Sequence, residues 1–286
     1  MRKILKNCYK KPDYIGQLIA YLNDFLDKQA RNYRQEGFIH AVSGGIDSAV
    51  LLKLVVDRFG PKSIICMITY LEDFSSREDL QDAENFCKQL GVDYYYIDIT
   101  ESVKSLTKTL PELKSQPVDN IAARIRIALL GELSVKHNLR LLFAGPYSDF
   151  VIRGGDSVGG AVAHCYPFAG LYKSEIYPIA RRINVPEVFI NKVSSNSSIM
   201  KQNPKERMNY GLKFSDVEKL VMFFNGLLPE EKIKHIPMNK RIYFHYLFKI
   251  FSKDCDYPCT EVRKPEEFGR KDFFMKFESF PFEKDI

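Results

Sequence analysis

The sequence predicts an α/β protein built as a three-layer, doubly wound parallel sheet. Two observations carry this. Short apolar runs alternate with segments of helical periodicity from the first third of the chain onward, and those runs are continuously apolar rather than alternating, as in strands covered on both faces. A third observation places a ligand. The run Phe38-Ile39-His40-Ala41-Val42 leads directly into Ser43-Gly44-Gly45-Ile46-Asp47-Ser48, and a helical pattern follows from Ala49. In open sheets of this type ligands sit at the carboxyl ends of the strands, where such a loop would lie.

The elements follow in order. Apolar residues at Ile15, Leu18, Ile19, Leu22, Phe25 and Leu26 predict a helix from Tyr14 to Tyr33. The first strand spans 37–42, and the next helix runs from Ser48 to about Phe59. Ser63 to Ile68 reads as a buried strand, Arg77 to Leu90 as a helix stopped by Gly91, and Tyr94 to Ile99 as a third strand. A long helix is expected over 119–137 and a fourth buried strand over Arg140–Ala144.

Composition bounds the function. The chain of 286 residues is 45% hydrophobic, enough for one substantial core with a small appendage. It holds no apolar run of about 18 residues, and Met1-Arg2-Lys3-Ile4-Leu5-Lys6 lacks the apolar stretch and cleavage site of a secretion signal. A soluble, cytoplasmic protein without a membrane partner is the expectation. Six scattered cysteines in a chain of this size read as reduced thiols, and the pair Cys255 and Cys259 has no second pair at zinc spacing. The net charge of +6 is spread among acids and fits an enzyme with a polyanionic ligand; with no RNA-binding module in evidence, a nucleic-acid partner is the minority reading.

The loop Ser43–Ser48 has the chemistry of a phosphate cradle. Gly44 and Gly45 permit backbone angles closed to other residues and let an anion approach the main chain. Ser43 and Ser48 offer hydroxyl donors, and the helix's first-turn N–H groups add roughly half a positive charge. Asp47 would repel phosphate unless a cation stands between them, so it reads as a Mg²⁺ ligand; the alternative is an Asp that merely caps the helix. The loop lacks the Gly-Lys-Ser/Thr ending of a Walker A motif and the spacing of GxGxxG.

The order SGGxDS after a strand resembles the pyrophosphate loop of the N-type ATP pyrophosphatases, with their adenine nucleotide alpha hydrolase-like (Rossmann-like) fold. Further segments narrow the resemblance to ammonia-dependent NAD synthetases. Phe74-Ser75-Ser76-Arg77-Glu78-Asp79-Leu80-Gln81-Asp82-Ala83 is similar to that family's segment after the second strand. Asn120-Ile121-Ala122-Ala123-Arg124-Ile125-Arg126 is similar to its N-I-Q-A-R-x-R helix, and Leu171-Tyr172-Lys173-Ser174-Glu175-Ile176 to its L-Y-K-x-E-[IV] helix. Asn184-Val185-Pro186, Ile190-Asn191-Lys192, the spacing of Gly211, Phe214 and Val217, and Phe251-Ser252-Lys253-Asp254 with Tyr257-Pro258 extend the likeness over residues 14–260. One synthetase domain over 1–260 is therefore expected, with 261–286 an extension of unknown role.

The resemblance implies ATP and Mg²⁺ as cofactors, with adenylation of a carboxylate, release of pyrophosphate and amidation by ammonia. It also implies ATP contacts from Ser43, Gly44, Gly45, Asp47, Ser48, Arg77, Arg124, Lys173 and Ser195, the last with Ser194 where the family has a Ser or Thr near ATP. Arg77 and Arg124 would offer planar charged forks to phosphate, their alternative being surface ion pairs. Lys173 at a helix start, where the dipole disfavours a cation, calls for an anionic partner such as the triphosphate, a solvated lysine being the alternative. Arg126 and Tyr94–Tyr96 read as structural. A homodimer is implied by the family, and ammonia is expected free or from a separate donor, since no glutaminase segment precedes the loop.

The departures matter as much. Where the family has G-T-x-N-K-x-E after the fourth strand, with the Glu as second metal ligand, this chain has Gly145-Pro146-Tyr147-Ser148-Asp149-Phe150; Asp149 or Asp156 is the candidate substitute. The family's acyl-contacting T-K-Y-G-D-G-G-x-D is replaced by Asp156-Ser157-Val158-Gly159-Gly160-Ala161-Val162-Ala163-His164. The Lys is gone and His164 falls where an Asp is expected. His164 reads as a general base for the attacking amine or as a packing residue. A pocket rewritten in those few polar contacts leaves two substrates open: deamido-NAD, or another acid. A non-catalytic paralog and a tRNA-modifying enzyme are the outside readings.

Overall fold

The computed structural model describes residues 13–32, 35–109, 118–149, 162–192, 212, 214–242 and 245. Four parallel strands lie in the order β3-β2-β1-β4, with β1 Gly37–Ala41, β2 Ile64–Tyr70, β3 Asp93–Asp98 and β4 Leu139–Leu142. The helices are α1 Tyr14–Asn32, α2 Ile46–Phe59, α3 Arg77–Leu90, α4 Thr100–Thr109, α5 Val118–Lys136, α6 Lys173–Arg182, α7 Glu187–Ile190 and α8 Phe214–Phe224. The expected elements are all present. β2 continues two residues beyond the expected Ile68, and β4 ends at Leu142 rather than Ala144 because the chain leaves the ladder toward Pro146.

Two cores make the three layers. On one face Phe38, Cys66, Ile68 and Leu142 pack with buried residues of α1, α2, α3 and α6. On the other, Ile39, Met67 and Leu141 pack with Leu130 of α5. Alternate residues of one strand thus serve opposite layers, which is why these strands read as continuous apolar runs. Edge strand β3 departs from that pattern: Asp93, Tyr96 and Asp98 are exposed. Ser76 caps α3 by accepting from Asp79 N, and Gly91 ends it in the left-handed region at φ 70°. Cys66, Cys87 and Cys165 are free thiols.

The strand order decides where a ligand can sit. From β1 the chain moves outward through β2 to β3, then returns through α4 and α5 to place β4 on the other side of β1. The helices that follow β1 and β4, α2 and α6, pack together on one face, so the turn after β1 and the start of α6 meet in a crevice beyond the carboxyl ends of these two strands. Register across this pair is Phe38 opposite Arg140 and His40 opposite Leu142. His40 Nδ1 lies 3.2 Å from the Leu142 carbonyl, and burial pushes its pKa down to about 4. Among the described residues no helix is long and apolar enough to cross a membrane.

Candidate active site

The turn after β1 is closed by its own serines. Ser43 N donates to Ser48 Oγ at 3.2 Å, Gly45 N to Ser43 Oγ at 3.3 Å, and Ser48 Oγ to Gly45 O at 2.9 Å. These bonds fix the bend so that α2 starts at Ile46 with Gly45 as its N-cap and no side-chain cap. No side chain caps the first turn of α2, and a helix start of this kind suits an anion by its N–H donors and dipole. Gly44 adopts φ 79°, and a Cβ there would stand 2.3 Å from the backbone oxygen of Asp79. Two constraints thus demand glycine: the left-handed backbone and the close approach of α3.

Three charged side chains from three distant segments meet in the crevice. Lys173 Nζ, at the first residue of α6, lies 2.7 Å from Asp47 Oδ2 and 4.0 Å from Asp149 Oδ2. Lys173 is 6% exposed and Asp149 7%. Burial by itself would discharge the ammonium, but Asp149 and Asp47 outweigh it and hold its pKa above the usual lysine value. The sequence called for an anionic partner for Lys173; here that partner is the carboxylate pair, and the solvated alternative is excluded by its burial.

Among the described residues, two carboxylates face this one ammonium. Hard oxygen donors in that number suit Mg²⁺, which is commonly held by one or two carboxylates plus substrate phosphates rather than by an all-protein cage. The donor set therefore fits the metal. No cluster of three or more His, Cys, Asp or Glu is present among the described residues, so substrate oxygens and water would complete the sphere.

A second layer orients the first. Glu218 of α8 is fully buried, and its carboxylate accepts from Lys173 N at 2.7 Å and from Ser174 N at 3.2 Å. It also takes the hydroxyl of Ser148, whose oxygen accepts from Lys173 N at 3.0 Å. Burial pushes the Glu218 pKa up to about 7 against these donors. Glu175, also fully buried, accepts from Tyr172 N at 2.7 Å and from the Tyr14 hydroxyl of α1, anchoring α6 from within.

On the other flank, Lys192 Nζ lies 2.7 Å from Asp79, 2.6 Å from Asp82 and 3.3 Å from the Gly44 carbonyl. It ties the turn to α3. Its partial burial lowers its pKa, but Asp79 and Asp82 raise it further, so the ammonium stays charged.

The sequence matches the family described as NAD synthase over residues 18–253. The chain belongs to the NAD synthase family. The NH(3)-dependent NAD(+) synthetase of Hyperthermus butylicus is 28% identical over 227 residues, covering 78% of this chain and 80% of that protein. The enzyme of the same name from Mycoplasma genitalium is 27% identical over 209 residues, covering 72% and 81%. The solved NH3-dependent NAD synthetase of Campylobacter jejuni superposes with TM-score 0.66 at 22% identity over 86% of this chain and 98% of that one. An NMN synthetase from Francisella tularensis gives TM-score 0.66 at 22% identity, over 81% and 93%. These two structures show the shared fold.

Against that family background the expected residues separate. Ser43, Gly44, Gly45, Asp47 and Ser48 form the turn, and Lys173 and Asp149 join Asp47. Arg77 is exposed on the first residue of α3, two positions before the Asp79 that abuts Gly44. Arg124 is exposed on α5, where its Nη1 donates to Asn120 O at 2.8 Å. Arg126 donates to Thr69 Oγ1 of β2 at 2.9 Å. Asp156, Ser194 and Ser195 lie outside the described residues.

His164 is stitched to β4. Its backbone N donates to Leu141 O at 3.0 Å, and its Nδ1 accepts from Leu141 N at 2.9 Å. An imidazole that accepts at Nδ1 is neutral and carries its hydrogen on Nε2, so its one basic lone pair is engaged by the strand. Partial burial and the nearby Arg140 charge lower its pKa.

Sequence reasoning passed over Glu218 and Lys192. Lys192 stands in the Asn-Lys step that resembles the family, a pattern that by itself does not mark the lysine for the turn. For Glu218 a signal existed: a carboxylate flanked by Val217, Leu220 and Val221, all of them buried, on one short helix.

Proposed function

We propose that this protein is an ATP-dependent carbon–nitrogen ligase that adenylates the carboxylate of deamido-NAD and amidates it with ammonia to give NAD. The observation that carries the reading is the convergence of Asp47, Asp149 and Lys173 at the switch point, beside a helix start whose donors are left for an anion. Family membership and the names of the relatives support the substrate.

The proposed chemistry assigns each residue a task. First-turn N–H groups of α2, with the Ser43 and Ser48 hydroxyls, hold the leaving pyrophosphate. Bound by Asp47 and Asp149, Mg²⁺ would neutralise triphosphate charge and make the α phosphorus more electrophilic. Lys173 donates to phosphate oxygens from a fixed buried position, adding charge stabilisation where water is excluded. Arg77, Arg124 and Ser195 are proposed as further ATP contacts. The substrate carboxylate oxygen attacks the α phosphorus as the bond to the bridging oxygen breaks; ammonia then attacks the acyl carbon and AMP departs. The protein's share is positioning and charge neutralisation. We assign His164 no proton transfer, because its lone pair is engaged by Leu141. Free ammonia as donor, a homodimeric assembly and a cytoplasmic location belong to the same reading.

The test is direct. Purified protein with ATP, Mg²⁺, ammonium and deamido-NAD should yield NAD, AMP and pyrophosphate in equal amounts, and Asp47→Asn should not. Absence of NAD at high enzyme, with pyrophosphate released from ATP instead in the presence of a different acid such as the nicotinate mononucleotide half of deamido-NAD, would replace this substrate assignment.

A further inference from the structure

Two short stretches supply the half of the charge cluster that the phosphate turn does not: Tyr147-Ser148-Asp149 after β4 and Tyr172-Lys173-Ser174 at the start of α6. They are far apart in sequence, and a backbone bond from Tyr147 N to Leu171 O at 2.7 Å brings them side by side. Helix α8 and Asn225, the residue that follows it, grip both. Asn225 Nδ2 donates to Tyr172 Oη at 2.8 Å and lies 3.5 Å from Tyr147 Oη, the two rings standing edge to face at 5.6 Å. Glu218 holds Ser148, Lys173 and Ser174 through one carboxylate. The second stretch is thus fastened on both sides of Lys173, and the first at the two residues that precede Asp149.

The helix making this grip packs with the segment after it. Val217 and Leu220 share a small apolar cluster with Ile233 and Ile236, separate from the two cores that cover the sheet. A carboxylate buried this deeply is costly to desolvate, and here it is offset by donors at a helix start, where the dipole favours negative charge. The same job of capping the start of α6 would be done by a residue of the preceding loop; a carboxylate from a remote helix does something more, since it links the spacing of Lys173 from Asp149 to the seating of α8.

We propose that Glu218 is a positioning residue for adenylation, and that α8 acts as a clamp whose seating sets the distance between Lys173 and Asp149. Glu218 touches neither ATP nor the acyl substrate; it acts through the Lys173 main chain and the Ser148 hydroxyl. This rests on the site being the ATP site argued above.

The test uses the full-length protein and near-isosteric variants. In Glu218→Gln, thermal unfolding should remain cooperative, while deamido-NAD-dependent pyrophosphate exchange should lose about tenfold to a hundredfold in kcat with a smaller change in KM for ATP, the pattern of displaced reacting groups. Glu218→Asp, which keeps the charge, should recover part of the loss. Lys173, nearly inaccessible in the wild type, should acetylate several times faster with acetic anhydride in Glu218→Gln, as read by mass spectrometry. A folded Glu218→Gln with kcat and KM within twofold of wild type and unchanged Lys173 labelling overturns the proposal. Should that variant fail to fold, Ser148→Ala, which removes only the bridging hydroxyl, carries the same expectations and the same refutation. If the wild type itself catalyses no exchange, the functional reading fails, and Lys173 labelling still decides whether α8 seats the lysine.

Discussion

The turn after β1 has a lysine on either side, each facing two aspartates, and the two groups differ chiefly in burial. Lys173 with Asp47 and Asp149 is sealed in the crevice, with side chains 7%, 18% and 8% exposed. Lys192 with Asp79 and Asp82 is more open, at 16%, 23% and 17%. The same inventory of charges does different things in the two places. In the sealed group Coulomb interactions are weakly screened, and under the proposed function its two carboxylates are the ones that would hold Mg²⁺. In the open group the lysine also reaches a main-chain carbonyl of the turn, and the assembly serves as a fastener between the turn and α3.

That contrast can be broken or sharpened by experiment. The largest effect is expected for Lys173→Met, which leaves two facing carboxylates without their ammonium: unfolding free energy should fall by about 3–5 kcal/mol in urea titrations, and Mg²⁺ should restore part of it. Asp47→Asn should lower the rate of pyrophosphate release by about 10²–10³-fold with the fold intact by circular dichroism.

Acidity separates the sealed side further. The folded-state pKa of Glu218, about 7, lies above its unfolded value of 4.5, so folding takes up a proton between those limits. The associated stability is complete below pH 4.5 and is lost as pH rises through about 7. Denaturation of wild type and Glu218→Gln at a series of pH values should show the wild type losing about 3 kcal/mol relative to the variant across that window, a difference absent if the carboxyl titrates normally.

Gly44 lies between the two groups, and Gly44→Ala should cost about 1–3 kcal/mol from its positive φ and the Asp79 contact, with weakened ATP binding by calorimetry. The smallest change is expected for Lys192→Met. Its pairs are partly solvated, so stability should drop by about 1 kcal/mol or less and the loss should shrink in high salt, whereas any Lys173 effect should resist salt. A salt-insensitive, multi-kcal/mol loss at Lys192 would erase the distinction.

Much of this architecture is written locally. Helix α3 starts at Arg77 and stops at Leu90 because Ser76 and Gly91 punctuate it, and both residues are visible in the sequence. The strands are legible because residues serving opposite faces are both apolar, as Ile39 and Phe38 are. The tight turn after β1 is legible too, since two glycines between a strand and a helix mark a bend that other residues cannot make. Boundaries moved where neighbours intervened, as at β4, which ends at Leu142.

By itself, then, the sequence determined the parallel α/β layering, the glycine turn after β1 and the family likeness, because period, glycine chemistry and motif order act over a few residues. Only the tertiary structure decided which charges meet. Asp47 and Lys173 are 126 residues apart, and Lys173 and Glu218 are 45 apart. Nothing along the chain marks such residues as neighbours; the strand order that reverses between β1 and β4 brings them together, and burial there turns a lysine, two aspartates and a glutamate into a single electrostatic unit.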